Sequence, residues 1–148
     1  MSTDLKNTMI ERIVARYIAL NEQDYANGYL DKSVKDNCNE YARAFGNTLQ
    51  NLSDECVSKF YRLDRNIQNK VFAYDSACWS ASVMSPFFVQ NCLEITRSDM
   101  KKYGLDKIDC VVEIMTPHFK NLENMLNAEF HDLGNGVIAY TGLNGARI

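Results

Sequence analysis

The sequence predicts a mainly α-helical fold: a compact bundle of about five helices, with a small C-terminal β element and an α+β fold as the alternative. Apolar residues recur at three- and four-residue steps over several long segments, which is the period of a helix face. Alternation typical of strands is confined to two short segments near the C-terminal end. A chain of 148 residues with 46% hydrophobic residues can bury one core. We therefore expect a single globular domain over residues 1–148.

The N-terminal half contains the clearest helical patterns. Residues 5–20 carry an apolar stripe that includes Met9, Ile13 and Tyr17, and residues 21–31, with the turn signal Asn27-Gly28, are expected to form a loop. A second helix is predicted from residue 33 to residue 49. A third is predicted to start at a Ser cap at residue 53 and to continue to about residue 70. Residues 73–85 show no clear period and stay unassigned.

Two prolines mark further helix starts. Ser85-Pro86 and Thr116-Pro117 each place a capping residue before a proline, the arrangement preferred at the first turn of a helix. The first of these helices is predicted to end at Gly104 and the second at Gly134.

Two segments have strand-like patterns, residues 107–115 and 137–141. A short apolar run cannot be assigned by periodicity alone, so a helical 107–115 remains the main alternative.

Charge and composition narrow the functional classes. The net charge is −3 and the pI is about 5.4, so we do not expect nucleic-acid binding through a basic face. The apolar runs are too short to cross a bilayer, and the N-terminus lacks the pattern of a signal peptide, which predicts a cytoplasmic protein without membrane contact. The five cysteines contain no Cys-x-x-Cys pair, consistent with reduced thiols in the core. We expect no metal and no cofactor.

The residues offer one catalytic hypothesis. Cys78, beside Trp79, could act as a nucleophile with His118 as its base, oriented by Asp132 or Asp75. The local sequence matches no cysteine-enzyme signature, so a buried cysteine and two surface histidines are the favoured interpretation. If His118 and His131 share one helix, they lie about 140° apart around it and cannot converge on a metal.

A binding surface is the better-supported expectation. Three basic side chains, followed by Lys70, are predicted to lie along the third helix opposite its apolar stripe, and five aromatic residues fall in predicted loops and helix starts, where Tyr and Phe suit an interface. The predicted binding residues are Lys59, Arg62, Arg65, Tyr25, Tyr29, Phe87, Phe88 and Tyr140.

These features favour a non-enzymatic protein-binding domain with a protein partner. The chain has fifteen Asn and two Pro, a bias consistent with an AT-rich genome. That bias indicates a virus, a phage or an AT-rich bacterium as the source. We expect an accessory protein of a virus or mobile element that inhibits or adapts a host protein. A small-molecule sensor with a pocket between helices near Trp79 is a further alternative, and a homo-oligomer is open because an amphipathic helix can bury its stripe against a second copy.

Overall fold

Six α-helices form the bundle, and a β-hairpin follows them. The computed structural model describes residues 2–82, 84–134 and 137–141, giving only the backbone for residues 2, 3, 132–134 and 137–141. The helices and strands are α1 (Ser2–Ala26), α2 (Lys32–Thr48), α3 (Asp54–Phe60), α4 (Arg65–Ala81), α5 (Pro86–Lys102), α6 (Asp109–Leu126), β1 (Glu129–Gly134) and β2 (Val137–Thr141). Short 3₁₀ turns cover Leu49–Asn51 and Leu105–Lys107. The predicted mainly α fold and the small C-terminal β element are confirmed.

The helices enclose one main cluster of buried hydrophobic residues. Helix α1 packs against α2, α3 and α4, while α6 packs against α3, α4 and α5, so α1 and α6 occupy opposite sides of the same interior. The largest buried side chains include Tyr17 from α1, Phe60 from α3 and Met115 from α6. The interior is therefore built from apolar stripes of many helices, each presented at helical spacing.

Helix α1 is longer than predicted, because the helix continues six residues past Leu20 before the turn at Asn27-Gly28. Gly28 has φ +81°, a left-handed conformation that a residue without Cβ adopts at little cost. Helix α2 begins one residue before the predicted start. Asp31 caps it, because its carboxylate accepts the backbone N–H of Val34 at 2.8 Å.

The predicted length of the third helix is wrong. The helix is interrupted at residues 61–64, which separate α3 from α4. Ser53 caps α3 as expected, through the backbone N–H of Cys56. Asp64 then caps α4 by accepting the N–H of Asn66 at 2.8 Å, so a new helix begins at Arg65. The unassigned residues 73–85 mostly belong to α4, which runs to Ala81.

The two proline signals have different outcomes. Pro86 starts α5 as predicted, and α5 ends at Lys102 just before Gly104, which has φ +72°. Pro117 instead lies inside α6, so the predicted helix start at 117 is wrong. The Thr116 hydroxyl donates to the Val112 carbonyl at 2.7 Å, bonding back to the preceding turn instead of capping a new helix.

The strand predicted at 107–115 is also wrong, and the helical alternative is confirmed. Cys110, Val111, Ile114 and Met115 are all buried, a pattern that one face of a helix produces and that an alternating strand does not. The predicted strand at 137–141 is confirmed as β2, and its antiparallel partner is β1. Gly134 therefore lies in a strand and does not end a helix.

Candidate functional site

Three polar side chains from three helices meet in the interior of the bundle. Tyr17 of α1, Asp75 of α4 and His118 of α6 are each at most 3% exposed. The Tyr17 hydroxyl donates to Asp75 Oδ1 and lies 3.0 Å from His118 Nδ1. His118 Nε2 lies 3.2 Å from the same Asp75 oxygen. Each side chain thus contacts the other two, and the three are called the buried triad below.

The sequence places the buried triad by simple helical spacing. Tyr17 follows Met9 and Ile13 on the apolar stripe of α1, at steps of four residues. Asp75 follows Val71 by four residues on α4, and His118 follows Ile114 by four on α6. Each helix therefore inserts one polar group into an otherwise apolar face.

The contacts of the buried triad limit where its protons can be. The single Tyr17 proton goes to Asp75, so His118 Nδ1 must carry a hydrogen and donate to the Tyr17 oxygen. His118 Nε2 makes no hydrogen bond of normal geometry, although Asp75 Oδ1 is near. In the neutral imidazole, Nε2 therefore carries the lone pair that faces Asp75 Oδ1.

Burial shifts both titrations toward the uncharged forms. Burial raises the pKa of Asp75 to about 7, with the Tyr17 hydrogen bond and the Arg12 charge acting in the opposite direction. Burial lowers the pKa of His118 to about 3. Between these values Asp75 is protonated, His118 is not, and both side chains are neutral.

The only tryptophan of the chain packs directly behind the buried triad. The Trp79 ring stacks on the Tyr17 ring with centroids 4.1 Å apart and an interplanar angle of 7°. Its indole Nε1 donates to Asn21 Oδ1 at 2.9 Å, and the Asn21 amide donates to Asn39 at 3.0 Å. The buried polar contacts thus extend from Trp79 on α4 across α1 to α2.

A cleft opens between α1 and α4 and reaches Asp75. Its volume is about 700 Å³, within the usual range of small-molecule sites. Two guanidinium groups and an aromatic ring stand on its walls, with small side chains between them. The lining residues are Arg12, Ile13, Ala15, Arg16, Phe72, Ala73, Asp75 and Ser76.

Comparisons with family models, with curated proteins and with solved structures give no match. Function must therefore be argued from the chemistry of the chain itself. Within the residues that the structure describes, no helix has the length and hydropathy needed to span a membrane. Over the same residues, no group of three or more His, Cys, Asp or Glu side chains is arranged to hold a metal ion.

The predicted cysteine nucleophile is not set up for catalysis. Cys78 is buried, and its thiol pKa is raised well above the usual value by a hydrogen bond with Cys92 and by burial. His118 directs its ring nitrogens at Tyr17 and Asp75. Asp75 does lie beside His118, as one version of the hypothesis required, whereas the Asp132 side chain lies outside the described residues.

The positions of the two histidines differ from those predicted from the sequence. His118 is buried in α6, so its predicted surface position is wrong. His131 lies in β1, so the two do not share a helix.

The predicted basic stripe is divided between two helices. Lys59 lies in α3 and forms an ion pair with Glu55 at 2.8 Å. Arg62 lies in the turn that follows α3, and Arg65 is the first residue of α4. Both arginines are exposed. The prediction of one continuous basic stripe along a single helix is wrong, because α3 ends at Phe60.

The predicted aromatic residues occupy three places. Tyr25 and Tyr29 are exposed around the α1–α2 turn, and Lys35 lies 4.8 Å from the centre of the Tyr25 ring. Phe87 and Phe88 are exposed at the start of α5. Tyr140 lies in β2 opposite Phe130, and its side chain falls outside the described residues.

Sequence reasoning missed Arg12 and Arg16 and the role of Tyr17. The arginines lie four residues apart on α1, on the flank of a stripe that was identified correctly. The available signal was Asp75 itself, a carboxylate among the small residues beside Trp79, four residues after the buried Val71.

Proposed function

We propose that the protein is a non-enzymatic protein-binding domain that docks its partner on the outer side of α5. The observation that carries this proposal is a group of exposed large apolar side chains at residues 84–95. The group consists of Met84, Phe87, Phe88 and Ile95, and is called the α5 patch below. Among the described residues, these four are half of the exposed large hydrophobic side chains.

The α5 patch lies on the side of the helix that the core does not use. Leu93 is buried, and Ile95, two residues later and 200° around the helix, is 68% exposed. Ile95 and Phe88 are seven residues apart and share a face. The Phe87 ring, itself 68% exposed, meets the Phe88 ring edge to face with centroids 5.6 Å apart.

This arrangement matches the composition of interface centres. Aromatic residues and Met are enriched at interface centres, and fully burying a Phe, Met or Ile side chain is worth about 1.5–3 kcal/mol before the costs of association. A polar group borders the patch, because Gln90 donates to Glu94 at 2.7 Å along the same helix. An apolar centre with a polar edge suits a protein partner that offers an apolar pocket.

Composition supports the finer part of the proposal. The cysteines that the structure describes are free, which suits the reducing cytoplasm. The excess of Asn over Pro suits an AT-rich genome. We place the protein in the cytoplasm as a viral or mobile-element accessory factor that inhibits or adapts a host protein.

The test is site-specific photo-crosslinking in cells of the native host. A benzoylphenylalanine is placed at Phe88, and in a matched control at Tyr103, which is equally exposed at 49% against 48%. We expect a defined adduct from position 88 that is absent from position 103. The double variant Phe87→Ser/Ile95→Ser is made without the crosslinking residue. It should no longer capture the same partner.

Three results would contradict the proposal. Identical adducts from positions 88 and 103 would show non-specific collision. Adducts only with a second copy of the chain would make the α5 patch a homo-oligomer interface. Undiminished capture by the Phe87→Ser/Ile95→Ser variant would place the interface elsewhere.

A further inference from the structure

We propose that the cleft between α1 and α4 is a binding site for a small organic anion. The oxyanion, a carboxylate or a phosphate, is held by Arg12 and Arg16, and a hydroxyl or amine on the same molecule reaches Asp75. This site is separate from the α5 patch, and neither proposal depends on the other.

The two arginines supply the anion-binding end of the site. They lie four residues apart on α1, so their side chains stand one turn apart on the same face and both line the cleft. Among the described residues, neither guanidinium forms an ion pair. Guanidinium groups bind carboxylates and phosphates through two parallel hydrogen bonds, so this pair of cations is suited to one oxyanion.

An apolar wall and a space without large side chains complete the cleft. The Arg12 guanidinium lies 3.7 Å from the centre of the Phe72 ring, which fixes the cation against an aromatic face. Ala15, Ala73 and Ser76 leave the volume between the helices open. The resulting 700 Å³ accommodates a molecule of the size of a hydroxy-acid or a nucleoside monophosphate.

Asp75 gives the site its second polar contact. Both contacts that the structure gives this carboxyl group run to Oδ1, from Tyr17 and from His118. Asp75 also lines the cleft, so Oδ2 is the oxygen that can receive a donor from a ligand. A ligand with both an oxyanion and a donor is therefore favoured over a simple inorganic anion.

The buried triad connects an occupied cleft to Trp79. A ligand donor on Asp75 competes for the electron density that accepts the Tyr17 hydrogen bond. Tyr17 is stacked on the only tryptophan of the chain, so a change at Asp75 changes the surroundings of that ring. The site thus contains its own fluorescence reporter.

The experiment titrates the full chain with three probes: inorganic phosphate, malate and adenosine 5′-monophosphate. Trp79 emission and the thermal midpoint are recorded together. We expect malate or adenosine 5′-monophosphate to give a saturable change in both signals, with inorganic phosphate binding at least about tenfold more weakly. Which of the two binds tells whether the anionic group is a carboxylate or a phosphate.

Matched variants separate the cleft from general charge effects. Arg12→Gln/Arg16→Gln should weaken binding by at least about tenfold with little change in the urea midpoint. Arg62→Gln/Arg65→Gln removes the same charge from an exposed region outside the cleft and should bind as the parent protein does. Ser76→Leu keeps all charges, fills the cleft and should also weaken binding.

Two outcomes would overturn the proposal. One is the absence of any saturable signal with malate or adenosine 5′-monophosphate up to roughly 10 mM, which limits the affinity to below about 3 kcal/mol. The other is an equal loss of affinity in the two double-arginine variants, which would show long-range charge attraction without a site.

Discussion

His118 Nε2 lies 3.2 Å from Asp75 Oδ1 inside the bundle, and burial leaves one titratable proton on the pair, on Asp75, because the pKa of Asp75 is about 7 and that of His118 about 3. In the unfolded chain at pH 5 the proton count is the same, because histidine is protonated and aspartate is not. The difference in bound protons between the two states, which sets the pH dependence of stability, is therefore near zero for this pair. The pair contributes little pH dependence to folding between about pH 4 and 6.5.

Single substitutions should reveal two opposite slopes. In His118→Gln, only Asp75 remains, with a folded pKa of about 7 above its unfolded value of 3.8. The folded state then binds more protons, so stability falls as pH rises from 4 to 7, by up to about 1.4 kcal/mol per pH unit. In Asp75→Asn, only His118 remains, with a folded pKa of about 3 below 6.5. Stability should then rise over pH 3–6.5.

Urea unfolding of the three proteins at half-unit pH steps measures these slopes. The variants are compared with the parent protein at each pH, so that contributions from the other titrating groups cancel. Arg12 and Tyr17, which act on the Asp75 pKa, stay in place in both variants. Parallel curves for all three proteins would contradict the assignment of the proton to Asp75.

Removing the Tyr17 hydroxyl should destabilise the protein by about 1–3 kcal/mol, because Asp75 and His118 lose a buried hydrogen-bond partner without gaining water. Tyr17→Phe is the variant, and its urea midpoint is the measurement. Tyr29→Phe is the matched control, since Tyr29 is exposed and the change should stay within about 0.5 kcal/mol. An equal effect of the two substitutions would mean that the hydroxyl contributes nothing to the core.

Gly46 allows α1 and α2 to approach closely. A Cβ at this position would lie 2.5 Å from Val14 Cγ2, and the stiff valine side chain cannot move away easily. Gly46→Ala should therefore destabilise by about 1–3 kcal/mol, although alanine favours a helix over glycine by about 1 kcal/mol. Thermal unfolding measures the loss. Val14→Ala should lower the free energy of unfolding less in the Gly46→Ala variant than in the parent protein. If the effects of the two substitutions on this free energy simply add, the clash is refuted.

Cys92 should be the first thiol to react with iodoacetamide. It is half-buried, and a hydrogen bond with Cys78 lowers its pKa below the usual cysteine value, whereas burial raises the pKa of Cys56 to about 12. At pH 7.5 a larger fraction of Cys92 than of an ordinary cysteine is therefore thiolate. Peptide mapping after brief labelling identifies the site, and Cys92→Ser should abolish the fast phase. Faster labelling of Cys78 than of Cys92 would instead support the hypothesis of a cysteine-dependent enzyme.

Two helix positions were predictable from local signals. The apolar stripe of residues 33–49 and the proline at residue 86 match α2 and the start of α5 within one or two residues. The break between α3 and α4 was not predictable from periodicity, because the apolar spacing continues through residues 61–64. Asp64 caps α4 there. At this point the cap, and not the apolar stripe, determines where the helix begins.

The buried triad was predictable only in part. The sequence predicts the pairing of Asp75 with His118 as one alternative, whereas its helical spacing makes Tyr17 an ordinary residue of the apolar stripe. Contacts between residues 58 and 101 positions apart leave no local pattern in one sequence. Arg12 and Arg16 were missed for the same reason, because their importance follows from the position of α4 beside α1.

The 101-residue separation between Tyr17 and His118 also has a consequence during synthesis. At a translation rate of about 5–20 residues per second, roughly 5–20 s pass between the addition of residue 17 and that of residue 118. During this time the Tyr17 hydroxyl has no imidazole to contact, and the inward face of α1 lacks the helix opposite it. A nascent chain stalled before α6 should therefore recruit chaperones through α1, and release of the completed α6 from the ribosome should end that recruitment.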